Sequence, residues 1–257
     1  MSQVHIGIIG AGWWAVENHI PALKSRSGVK VAAVCRPGHR ELQQVQEWFA
    51  IPFGTEDYRE LLAHQKLDGV IVTSPHHLHF EHASAALERG IGVLCERPMM
   101  LYSGEARQLL SLVQSTGLHF LIPYGWNYTR LATEAKAIID EGRIGTIEHV
   151  HCHMASAHRD LFSGKSTWFA QNSLLQPEVS TWSDPAQGGG FAHGQLTHAL
   201  GLMFYVTGLE PAAVFALMSK SQSGADLSNA IACRFNGGAT HSGEPQRCLR
   251  SQRTKWI

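Results

Sequence analysis

The sequence predicts an α/β fold: an N-terminal doubly wound parallel sheet, then a second α+β domain built on an open, largely antiparallel sheet. Three observations carry this. Short apolar runs alternate with helix-length segments through the first 124 residues. A glycine-rich turn joins the first run to the first helix. After Tyr124 the pattern changes to alternating, two-faced stretches.

The elements follow in order. VHIGIIG (4–10) is an apolar run ending at glycine, and 15–26 is helical. VKVAAVC (29–35) precedes a helix at 39–49. DGVIVTS (68–74) precedes a helix at about 79–89, IGVLCE (91–96) one at 103–116, and HFLIPY (119–124) is a fifth strand. Strands separated by helices of this length imply right-handed βαβ crossovers. A helix at 131–142 then leads into TIEHVHCHMAS, which alternates as a half-buried strand does. Residues 156–187 show no period and read as a lid, because a loop of about 30 residues in a compact domain is usually a binding element. A glycine-started helix, GGGFAHGQLTHALGLMFYVTG, and the strands PAAVFALMSK and AIACRF follow. The expected domains are 1–124, 125–240 and a tail at 241–257.

Composition narrows the function. The 257 residues are 44% hydrophobic and carry 21 basic and 21 acidic side chains. Zero formal charge argues against nucleic acid or an anionic membrane as the main partner. No apolar run approaches the ~18 residues of a membrane span, and the N-terminus lacks a signal-peptide pattern. Five scattered cysteines without a CxxC fit reduced thiols and a cytoplasmic location.

The first motif is IGIIGAGWWA. Gly10, Gly12 and Ala15 have the GxGxxA spacing of a dinucleotide-binding turn, which also carries Ala11, Trp13 and Trp14. Gly10 permits the tight turn, Gly12 admits a pyrophosphate to the backbone, and Ala15 lets the helix pack closely. Helix N–H groups and the positive dipole end then meet the phosphates. NAD sites place an acid at the end of the second strand, whereas this chain has Arg36 there and Arg40 a turn later. An arginine pairs with a 2′-phosphate, so NADP is favoured, with NAD possible. The alternative is two solvated surface arginines.

Three motifs in order, IGIIGAGWW, VTSPHHLHFEHASAALERGIGVLCERP and GGGFAHGQLTHALGLMFYVTG, resemble the Gfo/Idh/MocA oxidoreductases. The resemblance implies a Rossmann domain followed by an α/β domain whose open sheet makes oligomer contacts. It also implies hydride transfer between a nicotinamide cofactor and a sugar, polyol or cyclitol. It places Thr73, Ser74, Pro75, His76, His79, Glu96 and Arg97 at the cofactor. Tyr124, Asn127, Trp182, Gln195 and His198 are placed at the substrate. The family usually reads Glu-Lys-Pro where this chain has Glu96-Arg97-Pro98, and carries an Asp where this chain has Gly194. Arg97 is thus expected to stabilise charge on a substrate oxygen without releasing a proton, since its pKa stays above about 12. His198 is expected to serve as the acid–base group, titrating near neutrality. The alternative is a cofactor-binding regulatory or structural protein that has lost catalysis.

HVHCHM places His149, His151 and His153 on one strand face, a subunit contact more than a metal site, with Val150, Cys152 and Met154 facing helices. No metal is expected. Trp168 and Trp182 mark the lid as the seat of specificity. The final HSGEPQRCLRSQRTKWI has no period and is expected to be loosely packed; the resemblance, which ends before it, implies a non-homologous tail that leaves the second sheet incomplete.

Overall fold

A computed structural model describes residues 3–64, 67–165 and 170–236. Within them β1 (Val4–Ile9), β2 (Val29–Cys35), β3 (Phe53–Thr55), β4 (Gly69–Val72), β5 (Gly92–Cys95) and β6 (Phe120–Leu121) form one parallel sheet, ordered β3-β2-β1-β4-β5-β6. The order reverses between β1 and β4, and in such sheets ligands bind at the carboxyl ends of the strands beside that reversal. Successive side chains enter opposite cores. Ile8 packs with Val31, Val34 and Ile71 on one face, Ile9 with Ala33, Val70 and Val72 on the other. Burial on both faces is why these strands read as continuous apolar runs.

The first helical segment is not a regular helix. Ala15–His19 is a wide π turn that continues into α1 (Ile20–Lys24). The other layers are α2 (His39–Phe49), α3 (Tyr58–His64), α4 (His79–Glu88) and α5 (Ser103–Thr116). The unit β3–α3 is absent from the sequence-based reading. A three-residue strand directly after Pro52 is too short to show a period, and its pairing with β2 forms it. The fifth expected strand, 119–124, shrinks to the two residues of β6, since Pro123 has no N–H for a ladder.

In the second domain α6 (Arg130–Asp140) starts at Thr129, whose Oγ1 accepts from Ala132 N. The expected strand through TIEHVHCHMAS is not one: residues 147–156 have no ladder partner among the described residues. His149, His151 and His153 are exposed, though with no strand they do not form the expected sheet face. Cys152 is exposed too, yet its Sγ lies 3.9 Å from the carbonyl of Ala199. The stretch 156–187 is not periodless loop but carries α7 (Arg159–Phe162) and α8 (Val179–Ser183). A second π turn, Ala192–Leu196, opens α9 (Thr197–Thr207), followed by the antiparallel pair β7 (Pro211–Lys220) and β8 (Asp226–Phe235). Asp226 ties this pair to the helix: its Oδ2 accepts from Ala192 N and Asn229 Nδ2, both at 2.8 Å. Trp168 and the 241–257 tail lie outside the described residues.

Candidate active site

The glycine turn is built by contacts rather than by flexibility alone. Gly10 and Ala11 donate from their backbone nitrogens to the carbonyl of Cys35 at 2.8 and 2.9 Å, which pins the turn to β2. Gly10 has φ +91°, and a Cβ there would collide with the backbone of Thr73 and Ser74. Thr73 Oγ1 closes the same junction, donating to the carbonyl of Gly10 at 2.7 Å. Gly12 is the opposite case. A Cβ on it would meet nothing nearer than the Gly10 carbonyl at 3.8 Å, so the turn stays open above it. Ala15 is fully buried beneath.

Over the strand ends lies a cleft lined by Gly10, Gly12, Trp13, Trp14, Arg36, Pro37, Thr73, Ser74, Pro75, His76, His79, Glu96 and Arg97. Pro177, Glu178, Thr181 and Trp182 of the second domain form its other wall. An open glycine turn at its centre, with a cation at one end, fits a dinucleotide. Arg36 stands at the β2 end, its Nε donating to the carbonyl of Pro37 at 3.1 Å and its Nη1 to that of Ala11 at 3.4 Å. Burial pushes its pKa down, while the charges of Glu41 and Glu178 push it up. Arg40, placed with Arg36 from sequence, is exposed on α2 and is not part of the cleft wall. Its side chain leaves the helix on the solvent side.

The opposite end is organised around Glu96, which is 8% exposed. Trp14 Nε1 donates to its Oε1 at 2.7 Å, and His19 Nε2 lies 2.8 Å from the same oxygen. Arg97 N donates to Oε2 at 3.1 Å, and Arg97 Nε stands 3.7 Å from it. Burial alone would raise the Glu96 pKa. The His19 hydrogen bond, the Arg97 charge and the Trp14 hydrogen bond outweigh it and hold the carboxyl at about 2. Trp14 and His19 are five residues apart, a spacing that shares one face only where the helix is widened to a π turn.

Arg97 is 5% exposed, which rules out a surface salt bridge. Its peptide bond to Pro98 is cis. Nη1 donates to the carbonyl of Gly194 at 2.8 Å, and the guanidinium lies 5.6 Å from the Trp14 ring centre. Burial lowers its pKa and Glu96 opposes that. Gly194 has no room for a side chain. A Cβ would stand 2.9 Å from Phe162 Cε1 and 3.3 Å from Trp182 Cζ3. The place where the family pattern carries an Asp side chain is therefore filled here by two rings.

Of the expected substrate residues only Trp182 lines the cleft just described, while Tyr124 and His198 come together beyond Arg97. The Tyr124 ring packs on Gly201 of α9, and the His198 ring is 6.3 Å from it and 5.2 Å from Trp126. Burial first, then the Arg97 charge, lowers the His198 pKa to about 4, so a neutral-range titration is not what this environment supplies. Burial raises the Tyr124 pKa against the Arg97 charge and a hydrogen bond with Thr197. Asn127 Oδ1 is buried with no hydrogen-bond partner among the described residues. Gln195 is buried in the π turn before α9. Trp182 does reach the cleft, edge-on to His76 with ring centres 5.5 Å apart.

Several residues of this arrangement carry no signal in the sequence: His19, Phe162, Glu178 and Asp226.

Fold and cleft together define a doubly wound α/β nucleotide-binding protein. The chain belongs to the Gfo/Idh/MocA family: the description "Oxidoreductase family, NAD-binding Rossmann fold" matches residues 4–124, and that of the GFO/IDH/MocA C-terminal domain matches 132–254. It is 26% identical over 211 residues to a 2,7-anhydro-N-acetylneuraminate hydratase of Mediterraneibacter gnavus, covering 82% of this chain and 51% of that one. It is 24% identical over 176 residues to an NADP(+) D-xylose 1-dehydrogenase of Haloarcula marismortui, covering 67% and 49%. The chain spans about half the length of these curated relatives. Its fold matches the scyllo-inositol dehydrogenase of Lactobacillus casei, solved with NAD(H) and scyllo-inositol, with a TM-score of 0.74 at 18% identity over 93% of this chain and 68% of that one.

Proposed function

We propose that the protein is an NAD(P)-dependent oxidoreductase acting on a hydroxyl or carbonyl carbon of a sugar, polyol or cyclitol. The observation that carries the proposal is one continuous cleft with an open glycine turn at its middle and the buried Glu96–Arg97 pair at one end. Gly10, Gly12 and the following N–H groups would hold the pyrophosphate, Arg36 the adenosine end, and His76, Glu96 and Arg97 the reactive end. The cofactor supplies hydride exchange at its nicotinamide ring. Arg97 places fixed positive charge beside the reacting oxygen, and Glu96, kept ionised by its partners, holds Arg97 in place. His198, neutral at pH 7, accepts the proton that leaves a substrate hydroxyl, with Tyr124 packed against it. Trp182 and Asn127 would meet the substrate, a ring face and an unpaired amide oxygen being suited to a polyhydroxylated ring.

NADP over NAD follows from Arg36 and the lack of an acid at the end of β2. The exposed side chains of β7, among them Val214 at 69% and Phe215 at 65%, support a homo-oligomer built through this sheet. The four described cysteines are free, in keeping with a cytoplasmic location. Titration with NADPH and NADH, followed by a sugar and polyol panel, tests the assignment. Binding without turnover on any polyol would favour the regulatory alternative, which the replaced Lys and Asp motivate.

A further inference from the structure

The imidazole of His76 has an orientation that fixes its chemistry. Its Nδ1 lies 3.0 Å from the carbonyl of Gly188, a group that only accepts, so Nδ1 carries the hydrogen. Burial, above all, lowers its pKa to about 3, and the ring is neutral in ordinary buffers. A neutral ring protonated on Nδ1 leaves Nε2 as a bare acceptor, and among the described residues Nε2 has no hydrogen-bond partner. His76 is 6% exposed and lines the cleft at the end away from Arg36.

Glu96 and His79, the neighbouring polar side chains at that end, are already engaged. Glu96 receives Trp14, His19 and Arg97. His79 is fully buried, with its two ring nitrogens each 2.9 Å from a carbonyl, those of Pro98 and Ser74. Donors are not lacking, since Arg97 brings a guanidinium. His76 Nε2 is the uncommitted acceptor this end offers to an incoming N–H. A nicotinamide ring carries one such group, the NH2 of its carboxamide.

We propose that His76 Nε2 accepts a hydrogen bond from the carboxamide N–H of the cofactor, which makes His76 a positioning residue for the nicotinamide ring. The inference rests on the dinucleotide reading above. Gly188 of the second domain sets the ring's tautomer, so the two domains act together on the cofactor's reactive end.

A chemical double cycle tests it by binding alone. The dissociation constant of the reduced cofactor is compared with that of its 3-acetylpyridine analogue, in which methyl replaces NH2. The unmodified protein should bind the analogue about three- to tenfold more weakly, the range one neutral hydrogen bond gives. His76→Phe should bind the two equally. His76→Asn, whose amide offers both N–H donors and a carbonyl acceptor, should recover part of the preference and guards against misfolding of the Phe variant. Equal binding of the two by the unmodified protein overturns the proposal. A preference that survives in His76→Phe also overturns it, and its loss in Thr181→Val would then assign the contact to Thr181, whose buried Oγ1 has no hydrogen-bond partner among the described residues. A His76→Phe effect on substrate KM alone would move the contact to a substrate hydroxyl and overturn it as well. Failure of the unmodified protein to bind any dinucleotide would instead defeat the functional reading on which it rests.

Discussion

Arg97 and Gly194 are joined by a 2.8 Å hydrogen bond from guanidinium to carbonyl, across the boundary between the two domains. The two positions at which the chain departs from the family's usual Lys and Asp are thus in direct contact. The longer, forked side chain reaches a backbone oxygen, and the missing Asp side chain leaves space that Phe162 and Trp182 occupy. A side chain at position 194 would meet Phe162 and Trp182, and the Arg97 fork is held by the carbonyl of that same residue.

Gly194→Ala should destabilise the protein by about 1–3 kcal/mol, since its methyl enters Phe162 and Trp182 at closer than van der Waals distance. Thermal melts check this, and Phe162→Leu in the same chain should recover much of the loss. A Gly194→Ala protein that melts like the parent would show that the rings move freely.

Arg97→Lys should lower turnover more than cofactor affinity. An ammonium is a single point of charge and cannot hold both Glu96 and the Gly194 carbonyl as the fork does. Steady-state kinetics beside cofactor titration would separate the two effects.

Arg36→Asp should reverse the preference for NADP over NAD, with a charge-assisted hydrogen bond of about 1.5–3 kcal/mol at stake, or roughly tenfold and more. Glu178 bears on the same end of the cleft from the second domain, and its charge acts on Arg36. Glu178→Gln should therefore raise NADP affinity and leave NAD affinity nearly unchanged. Calorimetry on the two variants reads both effects.

Turnover should depend on a group that titrates well below 6.5, in keeping with the pKa of about 4 that burial and Arg97 impose on His198. The acidic limb of kcat/KM should lie in that range and vanish in His198→Ala, which should still bind cofactor.

Stability should fall as pH drops from about 6.5 toward 3. His76, His82 and His198 have folded pKa values near 3, 4 and 4, below their ordinary value, and burial is the first cause in each. In that window the unfolded chain binds more protons than the folded one, so acid favours unfolding. Glu96 adds a second loss between about 4.5 and 2, as the folded form resists protonation. Chemical denaturation across pH 7 to 4 should show the midpoint decreasing, less steeply in His82→Gln.

Much of the first domain was legible because its determinants are local. The helix at 39–49 has the same bounds in the sequence and in the structure, and the glycine turn announces its strand–turn–helix context in ten residues. The Arg36 and Arg97 positions follow from the strand ends that carry them. The elements missed are those that distant contacts create. The strand β3 exists by pairing with β2, and the segment 147–156, though alternating, has no pairing neighbour among the described residues.

The candidate site divides the same way. Sequence alone determined which residue types stand at the ends of β1, β2, β4 and β5, since period and turn chemistry are properties of short stretches. Tertiary structure decided what those residues do. It brought Trp14 and His19 onto one oxygen through a π turn, set Glu178 against Arg36, fixed the His76 tautomer on Gly188, and lowered the pKa of His198. Each depends on burial or on a partner far along the chain, and neither burial nor such a partner is written in local sequence.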